Sequence, residues 1–152
     1  MIPPFSSHGE LPPGVHQATF AELEQRLGHN QHRRRLLTRL QQVLRLLADA
    51  GIAQVYVGGS FVTAKDRPGD LDACWVAERG YDRCRLTPEF FEEDGSLAGA
   101  AEIPGLDLFP DDVDEALARG WLARGEGRRE KGVVLLRLGG NDETAQTHGR
   151  SG

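Results

Sequence analysis

Cysteines, long apolar runs and excess positive charge are all scarce in this chain of 152 residues, and each scarcity excludes a class of protein. Two cysteines, Cys74 and Cys84, are too few for a disulfide-stapled scaffold or a zinc knuckle, so we expect reduced thiols. No apolar run approaches the roughly 20 residues that span a bilayer. Prolines also stand where a signal peptide needs a basic end and an apolar stretch. We therefore expect a cytoplasmic protein without a membrane partner.

The balance of charge argues against a protein that binds nucleic acid tightly and without sequence preference. The 18 lysines and arginines stand against 23 acidic residues, which gives a formal net charge of −5. Such a surface as a whole does not favour a phosphate backbone, although a local basic patch remains open.

The length predicts a single domain with one hydrophobic core. We divide the chain into a proline-rich N-terminal strap over residues 1–18, one folded domain over 19–138 and a polar, disordered tail over 139–152. Three apolar residues are expected to fix the strap to the core: Phe5, Leu11 and Val15.

Capping residues and apolar spacing predict two helices before the first strand. Thr19 and Glu22 have the spacing of a capping box, which opens a helix to about Leu27. Asn30 caps a longer helix that ends at about Ala50. Six apolar residues of the longer helix form one stripe: Leu36, Leu37, Leu40, Val43, Leu44 and Leu47. Four of its arginines are expected on the solvent-exposed side, where a patch for RNA or an acidic partner is the alternative: Arg33, Arg34, Arg35 and Arg39.

Short strands alternate with helical or irregular segments in the rest of the chain. We predict strands that begin near residues 53, 71, 106 and 133, with the third stopped by Pro110. A short helix is expected over 87–91, a loop over 94–105 and an amphipathic helix over 111–123. This order indicates the α+β class, with a small mixed β-sheet and helices packed on it.

One pair of motifs carries most of the information about chemistry. The apolar strand ending in Val57 leads into Gly58, Gly59 and Ser60, and nine residues separate Ser60 from Asp70-Leu71-Asp72. Because side chains alternate along a strand, the carboxylates of Asp70 and Asp72 lie on the same side. Two neighbouring carboxylates repel each other unless a cation such as Mg²⁺ lies between them. A turn of glycine and serine beside them can bring backbone N–H groups and a hydroxyl to a phosphate.

These motifs resemble those of the nucleotidyltransferase superfamily of DNA polymerase beta, in which Gly-Ser is followed about a dozen residues later by Asp-x-Asp. Three segments also resemble a narrower family of small, uncharacterised bacterial proteins of the minimal-nucleotidyltransferase type: residues 2–5 (IPPF), 11–16 (LPPGVH) and 59–65 (GSFVTAK). The narrower likeness covers most of residues 2–138, and some members of that family lie beside toxin–antitoxin genes.

The superfamily resemblance implies a polymerase beta-like core and a site with two divalent ions, Mg²⁺ or Mn²⁺. It implies that Asp70 and Asp72 bind metal, and that a third acid on a neighbouring strand binds metal and acts as general base. Asp107 is our candidate, because a carboxylate in an apolar strand is costly unless it faces a site. Three other acids compete with it in the alignment: Asp94, Asp111 and Asp112.

The same resemblance assigns the nucleotide-binding residues Gly58, Gly59, Ser60 and Lys65, with Arg67 as a rival to Lys65. The implied activity is ATP- or other NTP-dependent transfer of a nucleoside monophosphate to a macromolecular acceptor. At this length, the acceptor or a second protein has to supply part of the recognition. A tRNA end or a side chain of a cognate toxin or antitoxin is the expected acceptor.

Two other functions remain open on the residues alone. One is a non-catalytic binding module, such as an antitoxin or regulator that keeps the fold for contact with a partner. The other is metal-dependent hydrolysis of a phosphoester by the same carboxylates. In the simplest structural interpretation, Asp70 only ends a turn after Pro68-Gly69 and Asp107 lies at a strand edge. The five histidines lack the spacing of metal ligands, and Cys74, Trp75 and Trp121 are expected in the core or at a partner surface.

Overall fold

The computed structural model describes residues 1–77, 80–99, 101–111 and 131–139. In these ranges the chain forms two helices and a six-stranded mixed sheet. The helices are α1 (Phe20–Leu27) and α2 (Gln31–Asp49). The strands are β1 (Val15–Ala18), β2 (Gln54–Gly58), β3 (Leu71–Val76), β4 (Ala101–Ile103), β5 (Leu106–Asp111) and β6 (Val133–Arg137). The α+β class is therefore confirmed, and none of the described helices is long and apolar enough to cross a membrane.

The strands follow the order β1-β6-β2-β3-β5-β4 across the sheet. β1 runs parallel to β6 and β3 runs parallel to β5, whereas the other neighbours are antiparallel. As a result, the C-terminal end of β2 and the N-terminal ends of β3, β5 and β6 meet at one end of the sheet. The glycine–serine turn and the predicted carboxylates lie at this end.

Both helices begin where the capping residues predict. The Thr19 hydroxyl accepts a hydrogen bond from the Glu22 amide at 3.0 Å, and the Asn30 side chain accepts one from the Arg33 amide at 2.8 Å. The apolar stripe of α2 is buried against one face of the sheet, together with the inward side chains of β2, β3 and β5. On the other face, four buried residues form a second, smaller cluster: Tyr56, Cys74, Val133 and Leu135.

The sheet is wider than the sequence predicts, because β1 and β4 come from segments that carry no strand signal. β1 lies in the predicted strap, and β4 lies in the predicted loop over 94–105. Both are edge strands of three or four residues, and each pairs with a single neighbouring strand. The predicted short helix near residue 87 is a single 3₁₀ turn over Pro88–Phe90. The predicted helix over 111–123 and the predicted tail lie outside the described residues, apart from Asp111 in β5 and Gly139.

β5 continues through Pro110, which was predicted to stop it. β4 pairs only with the segment from Leu106 to Leu108, so no described strand pairs with that side of β5 beyond Leu108. Proline lacks an N–H donor, but at a position without a partner strand on that side no ladder hydrogen bond is lost. Pro110 therefore fits opposite Trp75 in the pairing with β3.

The N-terminal strap is held against the domain by both its side chains and its main chain. Ile2 and Leu11 are almost fully buried, and Phe5 packs against the core. Val15 is 41% exposed, so its predicted role in fixing the strap is wrong. It lies on edge strand β1, whose contact with the domain is the backbone pairing with β6.

Arg33 was predicted on the solvent-exposed side of α2, and this prediction is wrong because the side chain is fully buried. Its guanidinium donates five hydrogen bonds of 2.6–3.2 Å to four main-chain carbonyls: Leu27, Phe61, Thr63 and Lys65. It also lies 4.8 Å from the centre of the Phe61 ring. Arg33 therefore holds in place the main chain of the loop that follows Ser60.

Replacing Arg33 with methionine is expected to lower the free energy of unfolding by about 3 kcal/mol or more. The substitution keeps an apolar stem but leaves three buried carbonyls, those of Leu27, Phe61 and Thr63, without this donor, and each unsatisfied buried group costs about 1–3 kcal/mol. Urea unfolding followed by circular dichroism measures the change. The matched control is Arg35→Met, because Arg35 is exposed on the same helix and its replacement should change stability by no more than about 0.5 kcal/mol. Equal effects of the two substitutions would contradict the role assigned to Arg33.

Candidate active site

Three of the predicted site residues lie in one row across the sheet. Gly58 is the register partner of Asp72, and Asp72 is the register partner of Asp107. Paired residues on adjacent strands lie about 4.8 Å apart and point to the same face. The carboxylates of Asp72 and Asp107 are therefore neighbours at the end of the sheet where β2 finishes.

Asp70 stands one position before β3 and is exposed, whereas Asp72 and Asp107 are half-buried. The pKa of Asp72 is raised from 3.8 to about 6, chiefly by burial and in smaller part by the negative charges of Asp107 and Asp70. The positive charge of the Lys131 ammonium group lowers the pKa of Asp72. Asp70 and Asp107 are thus both close enough to Asp72 to influence its charge.

The turn at Gly59 lies directly against the Asp72 carboxylate. Gly59 has a φ of +72°, and a Cβ atom built on it would lie 2.2 Å from Oδ2 and 2.9 Å from Cγ of Asp72. No side chain larger than hydrogen fits there, and the positive φ independently favours glycine. The chain therefore needs glycine at position 59 to bring the turn and the carboxylate together.

Ser60 and the residues after it form a rigid loop. Residues Gly59–Val62 make a 3₁₀ turn, and the Thr63 hydroxyl donates to the Ser60 carbonyl at 2.6 Å and accepts from the Lys65 amide at 3.2 Å. No hydrogen bond to the Ser60 hydroxyl is present among the described residues, and this side chain is half-exposed. It is available to a ligand.

Ser60 and Lys65 line a pocket of about 320 Å³ together with residues from two other segments. The N-terminal strap supplies residues 8–10, and the segment before β6 supplies Lys131. Arg67, the rival of Lys65, is exposed and does not line this pocket. A larger surface depression, of about 590 Å³, lies between Arg83 and Gly95 and shares no residue with the acid row, so we assign it no part in this chemistry.

The other candidates from the sequence have simpler roles. Cys74 is buried in the small second cluster, and Trp75 is buried in the main core, as predicted. Trp121 lies outside the described residues. Within the described ranges, no group of three or more His, Cys, Asp or Glu side chains is already gathered tightly enough to hold a metal ion.

The comparison of sequences places the chain in a family. A family of unknown function, DUF6932, matches residues 3–137. The chain belongs to the DUF6932 family. No curated protein and no solved structure matches it. The match of this DUF6932 protein spans the strap, the glycine–serine turn, the acid row and the last strand, so all of the candidate site residues lie inside the family region.

Two contributors to the site of this DUF6932 protein are not predicted by the motifs. One is Arg33, whose burial depends on the packing of α2 against the serine loop. The other is Lys131, which is remote from the motifs in sequence and reaches them only through the antiparallel pairing of β6 with β2. One feature of the composition could have drawn attention to Lys131, because Lys65 and Lys131 are the only two lysines in the chain.

Replacing Gly59 with alanine is expected to displace the Asp72 carboxylate or the turn, since the added Cβ has no space. We expect a loss of about 1–3 kcal/mol in the free energy of unfolding, as for other substitutions that create a clash at a positive φ. Chemical denaturation measures it. Gly69→Ala is the matched control, because an added Cβ at Gly69 meets nothing within 4 Å. A Gly59→Ala protein as stable as the control would show that the close approach does not exist.

Replacing Asp72 with asparagine is expected to stabilise the fold at pH 8 in the presence of EDTA. The pKa of about 6 in the folded state exceeds the ordinary 3.8, so folding favours the protonated form and the ionised form opposes folding. The penalty is complete above about pH 6 and disappears as the pH falls below about 4. We expect a melting temperature raised by about 2–4 °C at pH 8, with the gain shrinking towards pH 4.

The control for this experiment is Glu93→Gln, because Glu93 is an exposed acid that does not act on the pKa of Asp72. Its replacement should leave the melting temperature unchanged at both pH values. A destabilised Asp72→Asn protein at pH 8 would mean that the ionised carboxylate is paired in the folded state, against the like-charge cluster described above.

Proposed function

We propose that this protein is a Mg²⁺-dependent nucleotidyltransferase that moves a nucleoside monophosphate from a nucleoside triphosphate to a macromolecular acceptor. The observation that carries the proposal is the juxtaposition of Gly58, Asp72 and Asp107 in one row, with the Gly59–Ser60 turn packed on the Asp72 carboxylate. An acid row beside a turn that can hold phosphate is the minimum that this chemistry requires. It also supports a polymerase beta-like core for the fold.

The donor set suits a hard divalent cation. Asp70, Asp72 and Asp107 offer only carboxylate oxygens, which Mg²⁺ and Mn²⁺ prefer over softer metals. Burial raises the pKa of Asp72, and the negative charges of Asp107 and Asp70 raise it as well, so a cation at this position would favour the ionised carboxylate. Because a cation would relieve the repulsion between these charges, small side-chain rotations towards it are favoured. When bound, the metal supplies charge neutralisation at the attacking and leaving oxygens.

The residues of the chain would then act as follows. A hydroxyl oxygen of the acceptor attacks the α-phosphorus of the triphosphate and loses its proton to the carboxylate of Asp107. The new bond joins the acceptor oxygen to the α-phosphorus, and the bond from the α-phosphorus to the bridging oxygen of the β-phosphate breaks. Pyrophosphate leaves with that electron pair. Gly58, Gly59, Ser60 and Lys65 hold the triphosphate so that the leaving group lies opposite the attacking oxygen.

The proposal identifies the chemical class of the acceptor and not the individual molecule. We propose an RNA end, such as that of a tRNA, or a hydroxyl-bearing side chain of a partner protein, including a cognate toxin or antitoxin. The exposed arginines of α2, such as Arg34 and Arg35, offer a basic surface for either partner.

The double substitution Asp70→Ala with Asp72→Ala is expected to reduce label transfer from an NTP carrying ³²P at the α-phosphate by at least about 10³-fold. Purified protein is incubated with each labelled NTP, Mg²⁺ and either total tRNA or an extract of host proteins, and retained label is resolved by gel. A second measurement follows the melting temperature with Mg²⁺ added. The wild-type protein should be stabilised, and the double variant should not, because its metal-binding oxygens are gone.

The matched control is Asp66→Ala, which removes an exposed carboxylate from the same loop. It should retain both transfer and stabilisation by Mg²⁺. Unchanged transfer by the double variant would overturn the catalytic assignment. Label released into water instead of retained on an acceptor would indicate phosphoester hydrolysis. Partner binding that survives the double substitution, with no transfer by the wild type, would indicate a non-catalytic binding module.

A further inference from the structure

The pocket beside Ser60 is built from three segments that are far apart in the sequence. Its wall contains residues 8–10 from the strap, Ser60 and residues 63–65 from the serine loop, and Lys131 from the start of the last strand. At about 320 Å³ it lies at the small end of ligand pockets, which suits a chain of phosphates better than a whole nucleotide.

The strap is fastened to the serine loop by its main chain. A tight turn closes with Ser6 N donating to Glu10 O at 2.7 Å and Gly9 N donating to Ser6 O at 2.9 Å. Ala64 N donates to Gly9 O at 2.8 Å. Gly9 has a φ of +75°, and a Cβ there would lie only 3.1 Å from the Ala64 side chain. The turn is therefore a fixed wall of the pocket.

The strap also fixes the position of Lys131. Gly132 N donates to Leu11 O at 3.1 Å, and Val133 N donates to Gly14 O at 3.0 Å. A Cβ at Gly132 would lie 2.2 Å from the Pro12 carbonyl oxygen, so the main chain next to Lys131 is tightly enclosed. The same strap therefore locates Lys131 relative to the serine loop.

Two lysines and one acidic residue, Glu10, line the pocket, so its lining carries a net positive charge in a chain that is negative overall. Of its 18 positively charged side chains, 16 are arginines, and the two lysines both line this one pocket. Among the described residues, neither ammonium group has a carboxylate within 4.0 Å. Lysine offers a compact point charge that serves phosphate recognition. Lys131 also lies close enough to Asp72 to act on its charge, so this pocket adjoins the acid row.

We propose that Lys131 and the strap residue His8 form, with Ser60 and Lys65, a binding site for the terminal phosphates of a polyphosphate. The assignment rests on the proposed function where it identifies that polyphosphate as the tail of a nucleoside triphosphate. The evidence for the phosphate site itself is the pocket, the hydrogen bonds that join its three segments, and its two lysines. The strap is then part of the binding site, and Lys131 links the phosphate tail to the carboxylates.

The test uses the reactivity of amines in the unmodified protein. The chain has three amines, at Met1, Lys65 and Lys131, and the Met1 amine lies outside the pocket, where it donates to the Gln17 carbonyl. The protein is acetylated for short times with and without inorganic tripolyphosphate, and each site is quantified by mass spectrometry. We expect acetylation of both lysines to slow by at least about fivefold, whereas the Met1 amine keeps its rate.

Every other pattern overturns part or all of the proposal. Protection of Lys65 without Lys131 would remove the strap and Lys131 from the site. No protection of either lysine, or equal protection of all three amines, would show that no specific anion site exists. Parallel arms with ATP and pyrophosphate distinguish a nucleotide tail from a free polyphosphate: stronger protection by ATP supports the nucleotide, and equal protection supports the polyphosphate itself.

A variant pair adds an independent measurement. Lys131→Met is expected to weaken tripolyphosphate binding about tenfold in calorimetry, since a charge-assisted hydrogen bond is worth about 1.5–3 kcal/mol. Arg67→Met removes an exposed cation outside the pocket and should leave the affinity unchanged. Equal losses in both variants would indicate general electrostatic attraction and overturn the assignment.

The results of these two experiments can be distinguished from the result of the label-transfer experiment that tests the proposed function. Both experiments are run with EDTA and with Mg²⁺, and lysine protection does not require any transfer of label. Protection of both lysines without label transfer would retain the phosphate site and reject the transferase. Transfer that depends on Asp70 and Asp72 but leaves Lys131 unprotected would retain the transferase and reject this site.

Discussion

The close approach of the Gly59 main chain to the Asp72 carboxylate is the contact on which the arrangement of the whole site depends. It fixes the turn that carries Ser60 beside the strand that carries the acids. Since the register partner of Asp72 on the other side is Asp107, the same contact fixes the turn relative to two carboxylates. A phosphate held by the turn would therefore lie next to the acid row.

The rest of the structure maintains this contact from two directions. On the helix side, Arg33 of α2 donates hydrogen bonds to carbonyls of the serine loop. The packing of α2 is therefore coupled to the conformation of this loop. From the side, the N-terminal strap pairs with the loop at Gly9 and with the start of β6 at Leu11. A buried cation and an N-terminal segment thus both stabilise the site without belonging to the acid row.

The site also concentrates like charge in the folded state. Burial is the main cause of the raised pKa of Asp72, and the negative charges of Asp107 and Asp70 add to it. A fold selected for stability alone would gain by replacing one of these acids with a neutral residue. The ligand that we propose, a metal ion with a polyphosphate, would balance the charge of these acids and of the two lysines in the neighbouring pocket.

The sequence by itself determined the local features of this protein. The capped starts of α1 and α2, the apolar stripe of α2 and the strand–turn–strand motif follow from side-chain periodicity and capping chemistry, which act over a few residues. Only the tertiary structure decided the pairing of Asp107 with Asp72, the burial of Arg33, the edge strands β1 and β4, and the place of Lys131. These features depend on which strands become neighbours and in which register they pair. That choice is stabilised by the packed core and by main-chain hydrogen bonds between segments that are distant in the sequence.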